Sequence, residues 1–449
     1  MTIISNDKLN SFTPPPKDPG RLRIAVSNEF FELYRGDKDF RVGKILCRGY
    51  GCEIVCLGTN IASPADSQVF GSSAYAVDKV GELPDNFYHL LMKTRLIYHR
   101  KGNISLGGFF RWTPGIIRQL LRWKPDLILE NPYLSLTPRS YMTFMASRLL
   151  NIPIVYLDAG DIMPQLTLKH KIVLPVEKRV VNKAATIITY NLEGKKRFIN
   201  KYGYPGEKIT VTPKPIDTSR YHPYLDCRSF SEKHGLDNKF VVAYYGRLCT
   251  NKGAKYLLEA ADIMRRRGTD KDMMFFFVGG NIEADQATEF KDVVKKMSLE
   301  NVRLTGMVPN KDMPVTYAAA DIAVYPDVTN LPGFSTVLAE SMAAGLPIII
   351  GIKGWEDAVP IVDGENGLII EHANPEQIAD KIELLKGNHH LRRKLGENVL
   401  EFARQKMDYN KVVEKYYSIF NKLITKTVRI INNGPGIRRE RETEKNIVR

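Results

Sequence analysis

The chain has no uninterrupted apolar run approaching the ~18 residues that cross a bilayer. Its longest runs, near Met273–Val278 and Leu346–Ile352, have the length of strands. The N-terminus has no charged-then-apolar signal segment, so the expectation is a cytoplasmic protein. The five cysteines, Cys47, Cys52, Cys56, Cys227 and Cys249, form no CxxC pair and no zinc spacing, and read as reduced thiols. Eight scattered histidines form no ligand cluster, so no metal site is expected. No GxGxxG follows the first strand and no Walker A sequence occurs, which disfavours dinucleotide oxidoreductases and P-loop enzymes.

What is present is a chain of 449 residues with 43% hydrophobic content, too long for one core and suited to two domains of roughly 200 residues each. The net charge of +15 is unevenly placed. Residues 1–215 hold 31 Lys and Arg against 18 Asp and Glu, whereas residues 216–425 hold 27 against 29. The asymmetry points the basic half toward something anionic, with a membrane leaflet, a phosphorylated lipid and nucleic acid as the candidates, or else marks a merely soluble surface. Nucleic acid is disfavoured, since the basic residues follow no known binding motif with interleaved aromatics.

Residues 1–20, which include Thr13-Pro-Pro-Pro-Lys-Asp-Pro-Gly20, lack periodicity and read as a flexible leader. Short Val/Ile/Leu strands then alternate with helical stretches: Arg23–Ser27, Glu53–Leu57, Asp126–Glu130, Ile154–Leu157, Thr186–Thr189 and Ile209–Val211. After the turn-rich segment Thr212–Pro223 the pattern restarts, with strands at Phe240–Tyr245, Met274–Val278, Val302–Leu304, Ile322–Tyr325, Pro347–Gly351 and Gly367–Ile370. Continuous apolar runs between helices predict parallel sheets buried on both faces, hence two doubly wound α/β domains, 21–215 and 216–410. A helix over 411–425 and a basic, disordered tail over 426–449 complete the expected organisation. Two such domains facing one another define a cleft off their strand ends, where a ligand belongs.

Three segments of the second domain carry chemistry. In Asn330–Gly351 a loop enters a helix, so the N–H groups of Phe334, Ser335, Thr336 and Val337, preceded by Gly333, offer an anion pocket. Glu340, further along, can accept paired hydrogen bonds from vicinal hydroxyls such as those of a ribose. In Tyr245–Gly253, Gly246 lets backbone approach a ligand, and Arg247 and Lys252 can close on a diphosphate from two sides. Phe275–Gly280 is a strand ending in Gly279 and Gly280, where backbone can approach a base or ribose. An ordinary loop-to-helix turn, or two solvated cations, are the plainer readings of the first two segments.

Together these residues resemble the donor site of retaining GT-B glycosyltransferases of family 4, in which a Glu, seven residues and a second Glu frame the donor. Glu340 takes the second position, while Pro332 occupies the first. The resemblance implies the GT-B fold, two Rossmann-like domains around a central cleft, with Arg247 and Lys252 as the pyrophosphate clamp. It also implies transfer from a nucleotide-sugar co-substrate with retention of anomeric configuration, by front-face attack, with no metal and no further cofactor. In the first domain, Leu157–Pro164 resembles the family's Asp-Leu-Trp-Pro-like motif, so Asp161, or Asp158, would orient the acceptor hydroxyl or stabilise charge at the anomeric carbon; an N-cap role is open for either. The resemblance extends an acceptor-side role to Asp37, in Gly36-Asp-Lys-Asp39, and likens Lys214-Pro-Ile-Asp217 to the family's interdomain Asn-Gly-Val-Asp. Asp37-Lys-Asp39 and Asp270-Lys-Asp272 also fit an Asp-x-Asp metal pattern, which belongs to a different architecture.

Phe109–Lys124 combines aromatics, an apolar stripe and basic residues at helical spacing. It reads either as a sheet-covering helix with Ile116, Ile117 and Leu120 inside, or as a seat on an anionic membrane surface that brings the basic domain to a lipid-linked acceptor. The expected partners are a nucleotide-sugar donor and a lipid-linked or cell-envelope saccharide acceptor. A small soluble acceptor, or a non-catalytic sugar-nucleotide-binding or scaffolding role suggested by Pro332, are the alternatives.

Overall fold

In a computed structural model the described residues are 2–27, 37–59, 84–93, 95–99, 109–132, 138–158, 168–248, 252–280, 284–326 and 334–432. The first domain contributes strands β1 (Thr2–Ile4), β2 (Arg23–Ser27), β3 (Glu53–Thr59), β4 (Phe87–Met92), β5 (Arg95–His99), β6 (Phe109–Trp112), β7 (Leu127–Glu130), β8 (Ile154–Asp158), β9 (Thr186–Thr189) and β10 (Ile209–Val211). Its helices are α1 (Asp37–Tyr50), α2 (Ile116–Trp123), α3 (Pro138–Leu150), α4 (Leu168–Val181) and α5 (Leu192–Tyr202). Eight strands form one parallel sheet in the order β1-β4-β3-β2-β7-β8-β9-β10, and β5 and β6 form a separate antiparallel hairpin.

The second domain runs α6 (Arg228–His234), β11 (Phe240–Tyr245), α7 (Ala254–Arg267), β12 (Met273–Val278), α8 (Ala284–Lys296), β13 (Val302–Gly306), α9 (Met313–Ala318), β14 (Ile322–Tyr325), α10 (Thr336–Ala343), β15 (Ile348–Gly351), β16 (Leu368–Ile370), α11 (Pro375–Gly387) and α12 (His389–Phe402). Its six parallel strands are ordered β13-β12-β11-β14-β15-β16. Each sheet is apolar on both faces, as in β11 and β12, because helices cover both sides. Two doubly wound parallel domains are thus observed, as the strand pattern predicts.

The domains are joined twice at one place. The chain leaves the first domain through residues 212–217, where the Ile216 amide donates to the Met407 carbonyl at 2.8 Å, and returns through Asp408. The last helix, α13 (Tyr409–Asn432), packs back on α1, with Tyr50 and Tyr417 stacked at 4.3 Å. It is longer than the predicted 411–425 helix and takes in part of the span expected as a tail; residues 433–449 lie outside the described residues. One apolar core continues across both domains through these contacts.

Residues 2–20 correct the expectation of a flexible leader. Strand β1 pairs with β4, Ile4 and Leu9 are buried, and the Phe12 ring stacks on Trp123. Two arginines take the segment's carbonyls, Arg122 those of Leu9 and Phe12 (both 2.5 Å) and buried Arg23 that of Pro15 (3.0 Å). Prolines lack an N–H to donate, so the carbonyls of Pro15 and its neighbours suit side-chain donors. In α2, Ile116, Leu120 and Trp123 are buried in the core, while Ile117 packs against that core partly buried and also lines a groove.

Candidate functional site

In an open α/β sheet the ligand crevice lies where strand order reverses. In the second domain that point is between β11 and β14, and the segments after these strands carry Arg247, Lys252 and Glu340. Strand β11 ends in a close glycine contact. Gly279 has φ 140°, and a Cβ there would lie 2.1 Å from the Gly246 carbonyl oxygen, so the end of β12 tolerates no side chain at the contact. Gly246, at φ 146°, donates to Val278, and Leu248 donates to Gly280 at 3.2 Å, so the end of β12 sets the path of the chain at Arg247. The buried Tyr244 phenol donates to the Arg247 carbonyl at 2.8 Å and reaches that of Lys252 at 3.5 Å. This hydroxyl ties the backbone at Arg247 to the backbone at Lys252, a role no local pattern signals.

Helix α10 is capped by Ser335, whose side chain accepts from the Leu338 amide at 3.3 Å, leaving the amides of Thr336 and Val337 without helical partners. Phe334 is buried in the core, and its carbonyl accepts from Lys214 Nζ at 3.1 Å. Pro332 and Gly333 lie outside the described residues.

Glu340, on α10, is buried. Its Oε1 accepts from the Tyr221 phenol at 2.9 Å and its Oε2 from the Tyr317 phenol at 2.5 Å. Burial pushes its carboxyl up, opposed by these two hydrogen bonds and by the charges of Arg220 and Lys214. Burial also holds the Tyr317 and Tyr245 phenols well above the usual range, so both stay protonated donors. Tyr221, Tyr317 and Lys214 were not among the site residues read from the sequence.

The acceptor-side candidates separate. Asp158, at the end of β8, accepts from Thr189 Oγ1 at 3.0 Å and pairs with Arg197, and a Cβ on Gly194 would collide with Thr189 and crowd Asp158. It therefore anchors α5 to the sheet, and its carboxylate is already engaged. Asp161 lies outside the described residues, and Asp37 opens α1 with its side chain undescribed. At the first domain's own reversal point, between β2 and β7, Ser140 Oγ donates to fully buried Glu130 at 2.9 Å and Arg139 Nε donates to Ser27 at 2.9 Å. Burial raises the Glu130 carboxyl to about 7. This polar cluster also escaped sequence reasoning, because a glutamate ending an apolar strand has no distinctive spacing.

Asp217, of the interdomain segment, pairs with Arg41 of α1 and accepts from Ser219 and the Arg220 amide; burial opposes ionisation, but these partners hold its carboxyl below the usual range. A cavity of about 1110 Å³ opens between Tyr190–Leu192 and the segment 359–369; its described lining includes none of the donor-site candidates. Among the described residues no group of three or more His, Cys, Asp or Glu side chains is placed to hold a metal ion, and no helix is long and apolar enough to cross a membrane.

The second domain matches the family model of glycosyl transferases group 1 over residues 227–402, and residues 77–220 match that of glycosyltransferase family 4. Spore coat protein SA of Bacillus subtilis is 28% identical over 54% of this chain and 66% of its own length. A GDP-mannose-dependent α-(1-6)-phosphatidylinositol monomannoside mannosyltransferase of Mycolicibacterium smegmatis is 26% identical over 46% of this chain and 54% of its own. The matches thus span about half to two thirds of these relatives. Among solved structures, Anabaena Alr3699/HepE in complex with UDP superposes with a TM-score of 0.67 at 18% identity, covering 89% of this chain and 100% of its own. The fold is GT-B.

Proposed function

We propose that this member of the GT-B glycosyltransferases moves a sugar from a nucleotide-sugar donor to a lipid-linked or cell-envelope saccharide, retaining anomeric configuration and using no metal. The observation that supports the reading is that the segments following β11 and β14, the two strands at the sheet's reversal point, carry Arg247 and Lys252 on one side and, on the other, the first-turn amides of α10 and the buried carboxylate of Glu340. In this reading Arg247 and Lys252 clamp the diphosphate and stabilise it as it departs, the α10 amides assist, and Glu340 takes the ribose hydroxyls. Asp161 orients the acceptor hydroxyl from the first domain. UDP in the HepE structure supports a nucleotide-sugar donor.

The lipid-linked acceptor is supported by the charge of the first domain and by one surface. Around a groove of about 590 Å³, Trp112 and Leu121 are 40% and 38% exposed beside Arg118 and Met142, and Met145 and Leu149 are exposed on α3, the helix that carries Met142. An aromatic and apolar patch with basic neighbours suits an anionic membrane surface. The mannosyltransferase relative, whose name gives it a phosphatidylinositol-linked acceptor, agrees with this.

The test is nucleoside diphosphate release from a panel of nucleotide sugars, with membrane-extracted acceptor and with soluble sugars. Arg247→Ala should reduce turnover about a hundredfold, as the loss of a transition-state charge contact does. Near-normal turnover in that variant refutes the clamp. No transfer from any donor favours a binding or scaffolding role, which Pro332 would suit; transfer only to soluble sugars favours a small-molecule acceptor. Because Pro332 supplies no carboxylate to the transferred sugar, epimeric and deoxy donors should be tolerated at the corresponding hydroxyl.

A further inference from the structure

Glu340 is held from two separate parts of the chain. Tyr317 belongs to α9, and its ring is stacked on Tyr245 with centroids 4.0 Å apart and planes at 28°. The Tyr245 hydroxyl is in turn anchored on the Thr316 carbonyl at 2.7 Å. Tyr221 comes from the segment that leaves the first domain, stands edge-on to Tyr317 at 5.7 Å, and donates its amide to the Asp217 carbonyl at 3.0 Å. Asp217 is the residue that Arg41 of the first domain grips. Neither phenol can rotate away without breaking a ring contact.

A carboxylate offers about four acceptor positions. With one phenol on each oxygen, this count leaves each oxygen one further acceptor position. That is the arrangement a vicinal diol fills with its two hydroxyls, and it disappears if the carboxylate turns about its side chain. We propose that Tyr221 and Tyr317 are positioning residues that set Glu340 for a ribose diol, and that through Tyr221 the interdomain segment takes part in nucleotide recognition. The inference rests on the donor-site reading of Glu340.

The experiment measures dissociation constants of the full chain for UDP, GDP and ADP, each beside its 2′-deoxy counterpart, and follows the nucleotide that binds best. Wild type should prefer the ribonucleotide, and Glu340→Gln should erase that preference. Tyr221→Phe and Tyr317→Phe keep the rings and remove only the hydroxyls; each should shrink the ribo-over-deoxy ratio by about tenfold while affinity for the deoxynucleotide changes little. A merely structural role would weaken both nucleotides alike, and that result overturns the inference. It is equally overturned if both Phe variants keep the full preference while Glu340→Gln loses it. If Tyr317→Phe does not fold, Tyr221→Phe decides alone. Absence of binding by all three nucleotides, or no ribose preference in wild type, overturns the donor-site reading and the inference with it.

Discussion

Lys214 Nζ stands 3.1 Å from the carbonyl oxygen of Phe334, so a cation on the chain between the domains holds the residue that leads into α10. The same charge favours ionised Glu340. Lys214 thus acts on both ends of the candidate nucleotide site, from a position 120 residues distant in sequence.

Lys214→Met should therefore weaken nucleoside diphosphate binding about tenfold, the scale of one charge-assisted contact. It should also raise the Glu340 carboxyl, moving upward the pH below which binding is lost. Titration calorimetry across pH checks both, and an unchanged pH profile would show that Lys214 does not act on Glu340.

Gly279→Ala forces a Cβ against the Gly246 carbonyl in a backbone conformation that L residues rarely adopt. The expected loss is roughly 2–4 kcal/mol of stability, with displacement of Arg247 and weaker nucleotide binding. Gly387→Ala, at the end of α11 with open space around it, should be neutral or slightly stabilising. Thermal melts of the two variants separate the effects of fit from those of glycine removal alone.

Glu130 gives a pH dependence whose sign is set by burial. Its folded-state value of about 7 lies above the ordinary 4.5, so the native state holds this proton longer than the unfolded chain does. Its contribution is complete below about 4.5 and declines as pH rises toward 7, by an amount on the order of a few kcal/mol. Glu130→Gln should flatten stability between pH 5 and 7, read as the urea midpoint. A midpoint in wild type that rises over that window from this group would contradict the assignment.

Much of the architecture was legible because it is local. The apolar runs Phe240–Tyr245 and Ile154–Leu157 announce buried parallel strands by length and flanking turns, and the corresponding strands lie there. Strand β4 was not, since Phe87-Tyr-His-Leu-Leu-Met carries His89 in its middle, which only the packed sheet shows to be fully buried. The leader was misread because much of its order comes from Arg122, 113 residues from Leu9, and from pairing with β4, at separations a local pattern does not span.

The same division runs through the site. Arg247, Lys252 and Glu340 could be proposed from sequence because glycine turns and a helix start are written in consecutive residues. By itself the sequence determined two parallel α/β domains and proposed those groups as candidates. The tertiary structure alone decided that Glu340 would be gripped by Tyr317 and Tyr221, 23 and 119 residues away, and that Asp158 would be spent anchoring α5. A hydrogen bond between distant side chains depends on where whole strands and linkers end in space, and no periodicity in the chain encodes that.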